Sequence, residues 1–158
     1  MMSNNLALKV DDFLSQKRIA VAGVSHDQKA TANAIYRRFR EHGYQVFPVN
    51  PTADVLEGTT CFHDVKSIPG KVDGVIIVTR PEAADQVVHD CAEAGIHRVW
   101  MHNGIHGGSS VSQNAAQFCE EHNISVIAGA CPLMFGQTSD GFHRFVEKCL
   151  QVTGKLPE

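Results

Sequence analysis

The residues best suited to chemistry in this sequence are small, polar and cationic. Gly23-Val24-Ser25 closes Arg18-Ile-Ala-Val-Ala-Gly23, a compact run with β-branched residues, and a helical pattern begins at Ala30. A glycine with a hydroxyl two positions on, ahead of a helix, lets backbone N–H groups and the positive helix end approach a phosphate closely. Lys29, just before that helix, and Arg80, after the apolar run from Val72 to Thr79, lie on the same rim as possible phosphate partners. A dinucleotide fingerprint would need glycines at positions 25 and 28, where Ser25 and Gln28 stand, and an acid near position 50, where Asn50 stands. NAD therefore loses ground to a different phosphate-bearing ligand.

Such a turn needs a scaffold, and the apolar periodicity supplies one. A weak stripe over Leu6 to Ser15 predicts a leading helix. Arg18 to Gly23 reads as a strand buried on both faces, Ala30 to His42 as a helix closed by Gly43, and Tyr44 to Asn50 as a second strand. Pro48 inside that strand points to an edge position or to the strand's end. The pattern weakens between Pro51 and Gly70, where Thr59 to Phe62 allows a short strand and a helical turn precedes Pro69. Val72 to Thr79 is the most strand-like run, Pro81 opens a helix to Ala94, and Arg98 to Met101 is a further strand. Ser109 to His122 reads as a helix with a serine N-cap, Ser125 to Ala128 as the last core strand, and about 140–152 as a final amphipathic helix.

Strands alternating with helices of about a dozen residues imply βαβ units. The expected fold is α/β: a single-domain, three-layer, doubly wound Rossmann-like fold with a mainly parallel sheet, spanning 1–158 with its core at about 12–135. In such sheets ligands bind beyond the carboxyl ends of the strands. Those ends are Gly23-Val24-Ser25, Asn50-Pro51, Thr79-Arg80-Pro81, His102-Asn103-Gly104 and Gly129-Ala130-Cys131-Pro132.

Composition narrows the function classes. With 158 residues, 43% hydrophobic and 20% charged, a second domain has little room. A net charge of −3 gives no basic footprint for nucleic acid or an acidic membrane. Five cysteines without a CxxC read as reduced thiols, and the absence of a leader pattern or a spanning run makes the cytoplasm the expected compartment. His102 and His106 are four apart, but the glycines around them favour loop histidines over metal ligands. Cys131 reads as a small buried hydrophobe before a reactive thiol, and Trp100 as a core residue whose indole N–H needs a partner. Ser25-His26 are neighbours without a nucleophile elbow, so no catalytic residue is assigned.

The succession Ala22-Gly-Val-Ser25, Gly43-Tyr-Gln-Val-Phe-Pro-Val-Asn-Pro51, Val72-Asp-Gly-Val-Ile-Ile-Val78, Val99-Trp-Met-His-Asn-Gly104 and Cys131-Pro132 resembles the stand-alone CoA-binding domain proteins. These are similar to the N-terminal domain of the succinyl-CoA synthetase alpha subunit. The resemblance implies that Gly23, Val24 and Ser25 cradle the phosphates of coenzyme A or an acyl-CoA. It places Asn50 and Pro51 with Val78, Thr79, Arg80 and Pro81 along the adenosine and pantetheine path, and His102, Asn103 and Gly104 at the cleft's border. The family's Lys-x-Gly stands here as Lys29-Ala-Thr-Ala32, and its Asp-x-Cys-Pro as Gly129-Ala-Cys-Pro132. The expected role is non-catalytic or regulatory CoA binding, with a homo-oligomer or a protein partner. The alternative is a nucleotide-dependent enzyme, either an NAD(P) oxidoreductase or a CoA transferase or ligase component that acts with a partner subunit.

Overall fold

The computed structural model describes residues 4–104 and 108–135. The expected terminal helix at 140–152, Cys149 and His106 lie outside the described residues. Five parallel strands form the main sheet: β1 (Arg18–Ala22), β2 (Gln45–Val49), β5 (Gly74–Ile77), β6 (Arg98–Met101) and β7 (Ser125–Ala128), in the order β2-β1-β5-β6-β7. A two-stranded hairpin, β3 (Val55–Leu56) with β4 (Thr59–Thr60), occupies the stretch where the sequence pattern weakens. Strand order reverses between β1 and β5, and that is where a doubly wound sheet opens its crevice.

Alternation along the strands builds both helical layers. Ile19 and Val21 of β1, with Trp100 of β6, pack under α1 (Asn4–Leu14) and α2 (Thr31–Glu41). Ala20 and Ala22, with Val75 and Ile77 of β5, pack under α3 (Pro81–Glu93) and α4 (Gln113–Glu121). Three layers result, and no helix among the described residues is long and apolar enough to cross a membrane.

Each sheet edge carries a feature that blunts it. Pro48 lies in the edge strand β2, where its carbonyl faces outward and accepts from Phe62 N–H at 3.0 Å, so β1 loses no donor. At the opposite edge the Lys9 ammonium of α1 donates to the Val126 carbonyl at 3.1 Å. A solvated charge on an edge carbonyl discourages strand addition.

The fourth helix begins later than its sequence suggests. Helical structure starts at Gln113, because Ser112 is the residue whose hydroxyl accepts from Ala115 N–H at 3.1 Å. Trp100 finds two partners for its indole N–H, the carbonyls of Gly129 at 3.1 Å and Ala130 at 3.3 Å. The turn that leaves β7 is thereby held although Ala130 has φ +64°.

Candidate functional site

At the switch point the carboxyl ends of β1 and β5 touch. Val78 N–H donates to the Ala22 carbonyl at 2.9 Å, and Gly23 N–H donates to Val49 O at 3.1 Å on the other flank. Gly23 has φ +108°, and a Cβ there would stand 2.1 Å from the Val78 carbonyl oxygen. Only glycine allows so close an approach.

Side chains then fix the backbone beyond each strand. The buried Asn33 of α2 accepts from Ser25 N–H through Oδ1 at 3.0 Å and donates through Nδ2 to Ser25 O at 2.8 Å. Asn50 donates to Val24 O at 2.9 Å while its Oδ1 accepts from the backbone N–H groups of Thr52 and Ala53. Ser110 does for β5 what Asn33 does for β1: its hydroxyl accepts from Thr79 N–H at 2.9 Å and donates to Thr79 O at 2.6 Å. Backbone held in this way need not be ordered when a ligand arrives.

Two helices open at this edge without a side-chain cap. Ala30 stands at the N-cap of α2 and Arg80 at that of α3, with Pro81 following, and neither helix receives a cap hydrogen bond. By contrast Ser112 caps α4. An uncapped first turn leaves the positive dipole end open to an anion, and α2 adds its first N–H groups, whereas in α3 Pro81 has no N–H and Ala83 N–H donates to the Arg80 carbonyl at 3.0 Å. Arg80 is exposed beside it, and its guanidinium has no hydrogen-bond or ion-pair partner among the described residues.

Two cavities flank the end of β5. One, of about 320 Å³, is lined by Thr31, Val78, Thr79, Arg80, His102 and Ser110 among others. The other, of about 210 Å³, is walled largely by apolar groups, including Gly23, Val49, Pro51, Val65 and Val87, with Asp90 on the α3 side. Thr79 belongs to both.

Six of the residues marked from the sequence line one of these cavities: Gly23, Pro51, Val78, Thr79, Arg80 and His102. Val24 is fully buried under the turn. Ser25, Lys29, Asn50, Pro81, Asn103 and Gly104 border neither cavity. Of these, Lys29 is exposed on the rim, and Asn103 and Gly104 are engaged through their N–H groups with Ala130 O at 3.1 Å and Gly108 O at 3.1 Å. Because Asn33 takes the Ser25 N–H, the polar group that Ser25 offers a ligand is its hydroxyl. Sequence reading missed Asn33, Thr31 and Ser110. On paper Ser110 is one of three N-cap candidates with Ser109 and Ser112, and the Asn33 bonds depend on how α2 is placed.

The family model for the CoA binding domain matches residues 17–137. The chain belongs to the CoA binding domain family. Within curated proteins it is 29% identical over 131 residues to YneT of Bacillus subtilis, covering 82% of this chain and 93% of that one. It is 34% identical over 128 residues to the alpha subunit of ADP-forming acetate–CoA ligase II of Pyrococcus furiosus, covering 77% of this chain and 28% of the subunit. Among solved structures, a Pyrococcus horikoshii protein shares the fold with a TM-score of 0.75 at 24% identity, over 84% of this chain and 92% of that one. A dinucleotide-forming acetyl-coenzyme A synthetase of Candidatus Korarchaeum cryptofilum, solved with phosphate and ADP, aligns with a TM-score of 0.65 at 26% identity. That alignment covers 76% of this chain and 27% of the synthetase. The resemblance to succinyl-CoA synthetase-like proteins read from the motifs is thus met.

The CoA binding domain keeps its described cysteines as buried thiols. Cys91 of α3 and Cys119 of α4 are fully buried; burial pushes the Cys91 thiol up and holds Cys119 up to about 12. The folded protein therefore binds these protons more tightly than the unfolded chain, whose thiols titrate near 9. Their contribution to stability is complete below about pH 9 and is lost as pH rises toward about 12. Urea midpoints measured with reductant present should fall as pH is raised above about 9, and Cys119→Ala should flatten that slope. An equal slope in the variant would contradict the assignment.

Proposed function

We propose that this CoA binding domain holds coenzyme A or an acyl-CoA at the carboxyl edge of its sheet, in a non-catalytic or regulatory role. The observation that carries the reading is the pair of uncapped helix N-termini, α2 and α3, opening with the unpaired Arg80 at the switch point of a chain of this family. On this reading Gly23, Val24 and Ser25 cradle the phosphates, Ser25 through its hydroxyl, with Lys29 and Arg80 supplying charge. The smaller cavity, walled by Pro51 and Val87, takes the adenosine. Val78, Thr79, Pro81 and the larger cavity guide the pantetheine toward His102, while Asn50, Asn103 and Gly104 shape the surrounding turns. The protein would work in the cytoplasm, alone, as a homo-oligomer or with a protein partner.

A second reading is that the chain supplies the CoA site of a ligase whose other parts belong to another chain. The 34% identity to a ligase alpha subunit, of which this chain spans 28%, favours it. Calorimetry with CoA, acetyl-CoA, NAD and NADP tests the shared core of both readings. Binding of CoA or acetyl-CoA with no binding of NAD or NADP is expected. Heat from NAD alone would overturn both readings in favour of an oxidoreductase. Turnover of an acyl donor only after a second purified subunit is added would favour the ligase component.

A further inference from the structure

The β3–β4 hairpin lies outside the sheet, yet it reaches the phosphate turn through one carboxylate. Glu57 Oε1 accepts from Asn33 Nδ2 at 2.8 Å and from Arg37 NH1 at 2.8 Å. Asn33 is the residue that holds both backbone groups of Ser25, and Arg37 donates through NH2 to the carbonyl of Gln28 at 2.8 Å. Both shoulders of the turn are therefore tied to residues that share a single carboxylate. The Glu57 side chain is only 10% exposed.

The hairpin accepts a backbone cost to present that group. Glu57 has φ +52° and Gly58 φ +73°, the two left-handed positions of a tight hairpin turn, where asparagine, aspartate or glycine is the usual first residue. A glutamate there is unfavourable unless something holds it, and here an ion pair and a buried carboxamide do.

We infer that Glu57 is a positioning residue for CoA binding: through Asn33 and Arg37 it holds the 23–30 turn in its ligand-ready shape before the phosphates arrive. The inference rests on the reading that this turn receives the CoA phosphates. It further means that Arg37 is neutralised by Glu57 and belongs to the turn's frame, leaving direct contact with the ligand to other cations.

Glu57→Gly separates positioning from folding, because it removes the carboxylate and places at φ +52° the residue that suits it best. The expected result is a CoA affinity about tenfold weaker, as for loss of one charged hydrogen-bond acceptor. Deuterium exchange at the Ser25 amide in the ligand-free variant should be faster by about the same factor. Glu57→Gln, which keeps an acceptor for Asn33 Nδ2 and Arg37, should restore most of the affinity and of the Ser25 protection. Wild-type affinity and wild-type exchange in Glu57→Gly would overturn the inference while leaving the CoA reading intact. Failure of the wild-type protein to bind CoA would instead remove the reading itself, and the positioning role with it.

Discussion

Gly23→Ala should destabilise the protein by about 3 to 5 kcal/mol and remove CoA binding from whatever folded protein remains. Two independent costs add at this position. With φ +108° the backbone is in a region that side chains rarely adopt, and the new Cβ would stand 2.1 Å from the Val78 carbonyl oxygen and 2.8 Å from its carbon. Neither neighbour can swing aside, since Val78 continues β5 and its N–H is bonded to Ala22 O at 2.9 Å. Relief requires β1 and β5 to part at the switch point, which moves the phosphate turn away from the opening of α3. With a denaturant slope of roughly 2 kcal/mol per molar, the urea midpoint should drop by about 2 M. Gly43→Ala is the control, because it carries φ +87° but has nothing within 4 Å of its Cβ. It should cost about 1 kcal/mol, the backbone contribution alone. Equal midpoints for the two variants would show that the contact with Val78 is not what excludes a side chain.

The layered fold was legible because it follows from apolar periodicity. Ile19 to Ala22, Gly74 to Ile77 and Val99 to Met101 are buried on both faces, and a short continuous apolar run containing β-branched residues needs no tertiary context to be recognised. Pro48 was equally readable, since a missing donor restricts a strand to an edge. The β3–β4 hairpin was legible only in its second strand, since Thr59 to Phe62 reads as a short strand and β4 is Thr59–Thr60; strands of two residues carry no period, and glutamate is an unusual residue at the Glu57-Gly58 turn. The start of α4 lies four residues beyond where the sequence suggests it because Ser109, Ser110 and Ser112 are equivalent as cap candidates on paper. Only the fold shows that Ser110 is occupied with Thr79 while Ser112 caps the helix. For the candidate site the same division holds. Glycines and prolines at strand ends announce where a ligand can approach, whereas the side chains that fix those ends, Asn33 and Ser110, act across eight and thirty-one positions of sequence and need the packed structure to be seen.

Arg80→Glu should separate binding from stability by moving them in opposite directions. Arg80 is exposed at the N-cap of α3 and its guanidinium has no partner among the described residues, so replacing the side chain breaks no hydrogen bond or ion pair. A carboxylate near that helix start interacts favourably with the dipole and should leave stability unchanged or raise it by a few tenths of a kcal/mol. Toward CoA the sign reverses: a charge-assisted hydrogen bond worth about 1.5 to 3 kcal/mol is lost, and an anion now faces the phosphates. Affinity should therefore fall roughly 100-fold, with Arg80→Ala near tenfold because it removes attraction without adding repulsion. Because the contact is exposed, the penalty for Arg80→Glu should be larger at about 0.01 M salt than at about 0.15 M, where the screening length shortens to about 8 Å. Calorimetric titration of CoA at both ionic strengths, with urea midpoints on the same samples, reads all three effects. If Arg80→Glu bound CoA as the wild-type protein does, the opening of α3 would be excluded as a phosphate contact, leaving the charge to Lys29 and the first turn of α2.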